Sequence, residues 1–153
     1  KLLGDRFLRE TEVKFEPASG LPEVCASKEF IQQILLNFIF NAAEAMADRK
    51  HIALITRQTS TVPAGLPLQP ASAREYVTIA VRDSGCGIAP EIVPRIFEPF
   101  FTTKALSTRR GTGLGLSMAY ELARKMEAGI AVESVRNEGS TFTLILPVKL
   151  PPP

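Results

Sequence analysis

The sequence predicts a two-layer α/β sandwich: a mixed sheet with helices packed on one of its faces. Three observations carry that prediction. Five short segments alternate or are rich in β-branched residues, and two longer ones switch to a 3.6-residue apolar period. Their order is strand, helix, strand, strand, short helix, loop, helix, strand, strand. That order lacks the regular βαβ alternation of a doubly wound sheet and leaves part of the sheet antiparallel.

The segment "TEVKFEP" (11–17) alternates and stops at Pro17, so it reads as a strand. From Ser27 to about Ala47 the pattern is helical, with Ser27 as N-cap. Ile31, Ile34, Leu35, Phe38, Ala42, Ala45 and Met46 share one arc; Gln33, Asn37, Asn41, Glu44 and Asp48 share the other. "HIALITRQ" (51–58) reads as a strand. Residues 59–73 hold three prolines and a glycine and read as a mobile, variable surface loop. "REYVTIAVRD" (74–83) is a strong strand ending on an acid, and "APEIVPRIF" (89–97) reads as a short helix with Pro90 near its start. Residues 98–111 show no period and read as a long loop. "TGLGLSMAYELARKME" opens a second long helix. Two strands, 129–135 and 140–148, close the chain around the turn "RNEG", and 151–153 form a tail.

A chain of 153 residues is one domain's worth. Its 45% hydrophobic and 22% charged residues are ordinary for a globular protein. A net charge of +2, with no basic cluster longer than Arg109-Arg110, gives no footprint for nucleic acid. Cys25 and Cys86 lack metal-ligand spacing, which fits a reduced, cytoplasmic setting. No apolar run approaches the roughly 18 residues of a membrane span. The start at "KLLGD", without Met, reads as a piece of a longer protein, which is either free or membrane-anchored.

Four stretches could carry chemistry. Asn37 and Asn41 lie one helical turn apart on one face with Glu44. They form either an oxygen-ligand site, since an amide carbonyl suits Mg²⁺, or a solvated face. "RDSGCGI" sets Asp83 at a strand end, with Gly85 and Gly87 following. It is either a carboxylate placed to accept from an exocyclic amine, or a tight turn. "GTGLGLS" (111–117) opens a helix, and free N–H groups there favour a phosphate. It is neither a P-loop nor a dinucleotide fingerprint, and the competing reading is a loosely packed helix start. "IFEPFFTTK" (96–104) offers Phe97, Phe100 and Phe101 as apolar anchors. Its Thr102, Thr103 and Lys104 are either phosphate ligands or solvated.

In combination these motifs resemble the ATP-binding domain of sensor histidine kinases, within the superfamily shared with gyrase, the Hsp90 chaperones and MutL. "QQILLNFIFNAAEAM" resembles the asparagine box and "DSGCGI" the first glycine box. "IFEPFFTTK" resembles the phenylalanine box and "GTGLGLS" the second glycine box. "GSTFTLILP" (139–147) is similar to the last motif. The resemblance covers residues 11 to 148 and is nearest to the nitrogen-regulation type.

The resemblance implies a Bergerat-type sandwich over residues 1–150, a mixed five-stranded sheet with three helices on one face, and a lid at 98–111. It implies ATP and Mg²⁺ as ligands. Asp83 would bind the adenine amine, aided by a water and Thr141; Asn41 would hold Mg²⁺, with Asn37 beside it. Gly85 and Gly87 would let the chain pass under the nucleotide next to Ile88. Gly111, Thr112, Gly113, Leu114, Gly115 and Leu116 would wrap the triphosphate. Thr102, Thr103 and Lys104 would reach it from the lid, and Phe97 and Phe100 would couple the lid to the core or to a neighbouring domain. Family members pass the γ-phosphoryl group to a histidine on a separate dimerisation domain and then to a response regulator, usually as homodimers. The one histidine here, His51, resembles no acceptor box, so this piece is expected to bind Mg-ATP without phosphorylating itself. Two positions depart from the pattern: Ser27, where relatives often carry Asp, and Glu44, where some carry a phosphate-directed Lys. The second puts more weight on Lys104, Arg109 or Arg110. Two alternatives stand beside this reading, an ATP hydrolase of the same superfamily and an inactive nucleotide-binding module. Against the hydrolase, Asn37 occupies the place of its general-base Glu.

Overall fold

The computed structural model describes residues 11–46, 50–101 and 115–149. Five strands, β1 (Thr11–Glu16), β2 (Lys50–Thr59), β3 (Tyr76–Asp83), β4 (Gly129–Val135) and β5 (Gly139–Pro147), form one sheet in the order β1-β2-β3-β5-β4. β1 runs parallel to β2, and the other neighbouring pairs are antiparallel. The five expected strands are thus present, with ends shifted by at most two residues.

Two α-helices, α1 (Lys28–Glu44) and α2 (Gly115–Lys125), pack on one another and on one face of the sheet. Ser27 caps α1 as expected: its backbone is extended and its Oγ accepts from the Phe30 N–H at 3.2 Å. The third expected helix is corrected. Residues 89–97 hold only a 3-10 turn at Val93–Arg95, within a series of i→i−3 bonds such as Ile92 N–H to Ala89 and Ile96 N–H to Val93. Pro94 explains this, because it has no N–H to give to the carbonyl four residues back, at Pro90, and its ring crowds that carbonyl.

Pleat alternation sorts the sheet's two faces. Ile52, Val81, Phe142, Leu144, Leu146 and Ile130 point to the helices and join Ile34, Phe38, Ala42, Leu116, Ala119 and Ala123 in the core. Phe38 stacks on Phe142 with centroids 5.3 Å apart, and Phe97 meets Phe142 at 6.4 Å and Tyr120 at 5.7 Å. The opposite face carries Glu12, His51 and Arg82, with His51 3.4 Å from Glu12 and Arg82 3.4 Å from Glu16.

The β2–β3 connection departs from the expected free loop. It travels past β5 to the far edge of the sheet, where Leu68 and Ile130 exchange backbone hydrogen bonds of 3.4 and 2.9 Å. Pro70 then packs on Gly129, the Ala71 N–H reaches the Glu127 carbonyl at 2.9 Å, and the Ala73 N–H reaches the Tyr76 hydroxyl at 2.9 Å. The segment is a strap that covers the edge of β4, which would otherwise be open to further strand pairing.

Candidate functional site

Asp83 ends β3 on the helix-bearing face and is only 5% exposed. Its Oδ1 accepts from the Gly85 N–H at 2.8 Å and the Ser140 N–H at 3.3 Å, while Oδ2 is buried with no donor. Burial pushes the carboxyl above its ordinary range, and the two N–H bonds oppose that shift only in part. An unsatisfied buried acceptor costs stability, so it marks a place where a ligand's N–H can complete the structure.

The loop after Asp83 is gripped from both sides. On one side the Cys86 N–H donates to the Ala45 carbonyl at the end of α1 (3.1 Å), and a Cβ on Gly85 would stand 2.5 Å from that same oxygen. On the other, the Asn137 N–H in the β4–β5 turn donates to Cys86 at 2.7 Å, and the Ile88 N–H donates to Ser134 Oγ at 2.7 Å. Gly87 has φ +71°, and a Cβ there would run into the Val135 carbonyl. At both glycines the space a side chain would take is occupied by carbonyls of the protein, Ala45 at Gly85 and Val135 at Gly87. Their structural work is to let α1 and the hairpin turn hold the Asp83 loop.

Asn37 and Asn41 lie half-buried on one flank of α1. Asn37 Nδ2 is buried without a partner, and its Oδ1 lies 3.7 Å from where Gly115 would carry a Cβ. The asparagine face therefore meets the first turn of α2. Leu116 and Ile88, 8% and 9% exposed, belong to the core behind this flank. Phe97 and Phe101 pack on that core, Phe101 under the Arg95 guanidinium at 4.6 Å. Phe100 instead points outward, 73% exposed with φ +65°, so of the three phenylalanines Phe97 and Phe101 are the ones packed on the core. Thr102, Thr103, Lys104, Arg109, Arg110, Gly111, Thr112, Gly113 and Leu114 lie outside the described residues, as does most of the expected lid.

One expected residue is replaced. Thr141 pairs with Arg82, on the sheet face opposite Asp83, whereas Ser140 pairs with Asp83 itself and is 5% exposed. Cross-strand partners share a face, so the hydroxyl beside Asp83 is that of Ser140. The parity of β5 held the signal: Phe142, Leu144 and Leu146 mark the buried positions, and Ser140 is in phase with them. Ser134 was also missed. It faces Ser140 across the hairpin, with the two oxygens 2.8 Å apart.

The donor set fits Mg²⁺ in one respect and limits it in another. Amide oxygens at Asn37 and Asn41 are hard ligands of the right kind. Among the described residues no three His, Cys, Asp or Glu side chains cluster as a metal site, so a cation here would draw its compensating charge from ligand phosphates.

Comparison with known proteins gives this arrangement a context. The family model for histidine kinase-, DNA gyrase B- and HSP90-like ATPases matches residues 26–150. The chain is 37% identical over 128 residues to the signal transduction histidine-protein kinase AtoS of Escherichia coli K12, covering 84% of this chain and 18% of AtoS. It is 31% identical over 145 residues to the sensory histidine kinase/phosphatase NtrB of Rhizobium meliloti, covering 92% of this chain and 36% of NtrB. This chain therefore corresponds to a minor part of either relative's length. Among solved structures, full-length ShkA in complex with AMPPNP superposes with a TM-score of 0.70 at 28% identity, over 92% of this chain and 26% of ShkA. With the family model spanning most of its length and the sheet order, asparagine helix and buried strand-end acid all in place, the chain belongs to the histidine kinase-, DNA gyrase B- and HSP90-like ATPase family.

Proposed function

We propose that this chain is the ATP-binding catalytic domain of a two-component sensor histidine kinase, delivering the γ-phosphoryl group of Mg-ATP to a histidine on a separate dimerisation domain. The observation that carries the proposal is the buried Oδ2 of Asp83, an acceptor lacking a donor beside the Ser140 hydroxyl. The 6-amino group of adenine supplies such a donor. Asn41 and Asn37 offer amide oxygens for Mg²⁺ bridged to the phosphates, and Mg²⁺ supplies charge neutralisation for phosphoryl transfer. The remaining triphosphate contacts are assigned to Lys104, Thr102, Thr103 and the run Gly111 to Gly115. The complex of ShkA with AMPPNP supports an adenine nucleotide as the ligand.

Two features favour transfer over hydrolysis. The position of a hydrolase's general base holds Asn37, whose amide cannot take a proton from water. The chain's one histidine, His51, lies on the sheet face opposite Asp83, paired with Glu12, so the phosphoacceptor belongs to another domain or chain, and a response regulator follows it. Titration calorimetry with AMPPNP tests the metal site. The wild-type chain should bind more tightly with Mg²⁺ than with EDTA, and Asn41→Ala should lose most of that difference. Equal metal dependence in the variant removes Asn41 from the site.

A further inference from the structure

The β4–β5 hairpin contains a hydroxyl whose bonding pattern constrains what its neighbour can offer a ligand. Ser134 Oγ lies 2.7 Å from the Ile88 N–H, 3.2 Å from the Gly139 carbonyl oxygen and 2.8 Å from Ser140 Oγ. A hydroxyl has one proton and two acceptor sites. The Ile88 N–H can only donate, so it takes one acceptor site. The Gly139 carbonyl can only accept, so it takes the proton. What remains on Ser134 is one acceptor site, and Ser140 must fill it with its own proton. This distribution makes three hydrogen bonds; reversing the serine pair makes two and leaves Gly139 without this donor. Ser140 therefore turns only lone pairs to the rest of its surroundings. Its backbone N–H is already committed to Asp83 Oδ1. Cross-strand pairing sets these two side chains beside each other, and Asp83 Oδ2 and Ser140 Oγ then both present acceptors.

We propose that Ser134 is the positioning residue that fixes Ser140 as an acceptor and so selects 6-amino over 6-oxo purine nucleotides. The proposal rests on the reading above that Asp83 receives the adenine amine. A 6-amino group carries two donors and suits this pair of acceptors. Hypoxanthine and guanine present a carbonyl oxygen at that position, which meets the lone pairs of Ser140. Without Ser134, the Ser140 proton is released to rotate toward that oxygen, and the penalty turns into a hydrogen bond. The residue acts through Ser140 and touches no ligand itself.

The test is the ratio of ADP to IDP affinities, each measured by calorimetry in the presence of Mg²⁺. Ser134→Ala should lower the adenine preference roughly tenfold, the scale of one hydrogen bond lost to a competitor. Ser134→Thr, which keeps the hydroxyl, should restore it. In a Ser140→Ala background the ratio should no longer respond to Ser134→Ala, since no proton remains to redirect. A wild-type ratio in Ser134→Ala, or an unchanged response in the Ser140→Ala background, overturns the proposal. Should Ser134→Ala not fold, Ser140→Ala alone decides: it should weaken ADP more than IDP, and an equal loss refutes the acceptor pair. Asp83→Asn separates the two levels. If it leaves ADP binding intact, the reading of the site has failed; if it weakens ADP while Ser134→Ala leaves the ratio alone, only the role of Ser134 has failed.

Discussion

The two ends of this sheet are built on opposite plans. At the end where β3 finishes, polar groups are buried: Asp83, Ser140 and Ser134 share a network with one acceptor left open. At the end where β3 begins, the strap closes with prolines, small residues and backbone hydrogen bonds from Leu68, Ala71 and Ala73. Both ends tie a loop to the β4–β5 hairpin. Only one does so at the cost of an unsatisfied, desolvated carboxylate. The open acceptor lies at the end where the proposed ligand would bind, while the strap's bonds are made within the protein.

Glycine substitutions give the largest expected break between the ends. Gly87 and Gly65 both have positive φ, +71° and +75°, but Gly87 abuts the Val135 carbonyl whereas nothing lies within 4 Å of Gly65. Ala at either position carries the backbone penalty, about 1–2 kcal/mol. Gly87→Ala adds a backbone clash and should cost about 2–4 kcal/mol in all. Thermal unfolding should show Gly87→Ala several degrees below Gly65→Ala. Equal melting temperatures would mean that the hairpin does not grip the Asp83 loop.

Next in size is the loss of the open acceptor. Asp83→Asn should weaken ADP roughly ten- to a hundredfold, the range of a hydrogen bond to a charged group. The wild type adds a pH signature. Burial raises the Asp83 carboxyl above 3.8 in the free domain, and a bound amine N–H would lower it again. A protonated Oδ2 cannot accept. Affinity should therefore rise with pH between the bound and free values and level off above the free one, with proton release on binding inside that window. Calorimetry in buffers of different ionisation enthalpy measures the release. Its absence in the wild type, or its persistence in Asp83→Asn, would detach the carboxylate from binding.

The contrast between the ends also marks what could be read in advance. The five strands, the cap at Ser27, Asp83 at a strand end and the α1 core positions Ile34, Phe38 and Ala42 were legible, because each follows from local periodicity or a single capping group, whereas the buried Ile39 and Ala43 lay outside the predicted arc. The two failures in the fold have different causes, one local and one long-range. Residues 89–97 have a helix-like apolar pattern, but Pro94 in their middle removes a donor that the helix needs. The strap looked free because proline content says nothing about a long-range bridge from Leu68 to Ile130. At the site, placing Thr141 beside Asp83 followed the motif and ignored the pleat, although the phase of β5 assigned Ser140 to that face. Ser134 was beyond sequence reasoning, since a serine between Glu133 and Val135 carries no sign of three partners supplied by tertiary contacts.

The smallest effect belongs to the strap, and it tests whether the two ends are independent. Tyr76 is 7% exposed, and its hydroxyl accepts the Ala73 N–H at 2.9 Å. Tyr76→Phe keeps the ring in place and removes that acceptor, while Ala73 is accessible enough for water to take over part of the bond. The cost should be about 1 kcal/mol or less. Asp83 lies at the other end of the same strand, seven residues away along β3. At the rise of an extended strand that separation is roughly 20 Å, beyond the range at which substitutions usually couple. ADP affinity should therefore stay within about twofold of wild type, and the double variant Tyr76→Phe with Gly87→Ala should lose the sum of the two single stabilities. A tenfold change in affinity, or a double variant well off that sum, would show the strap and the Asp83 loop acting as one unit through the sheet.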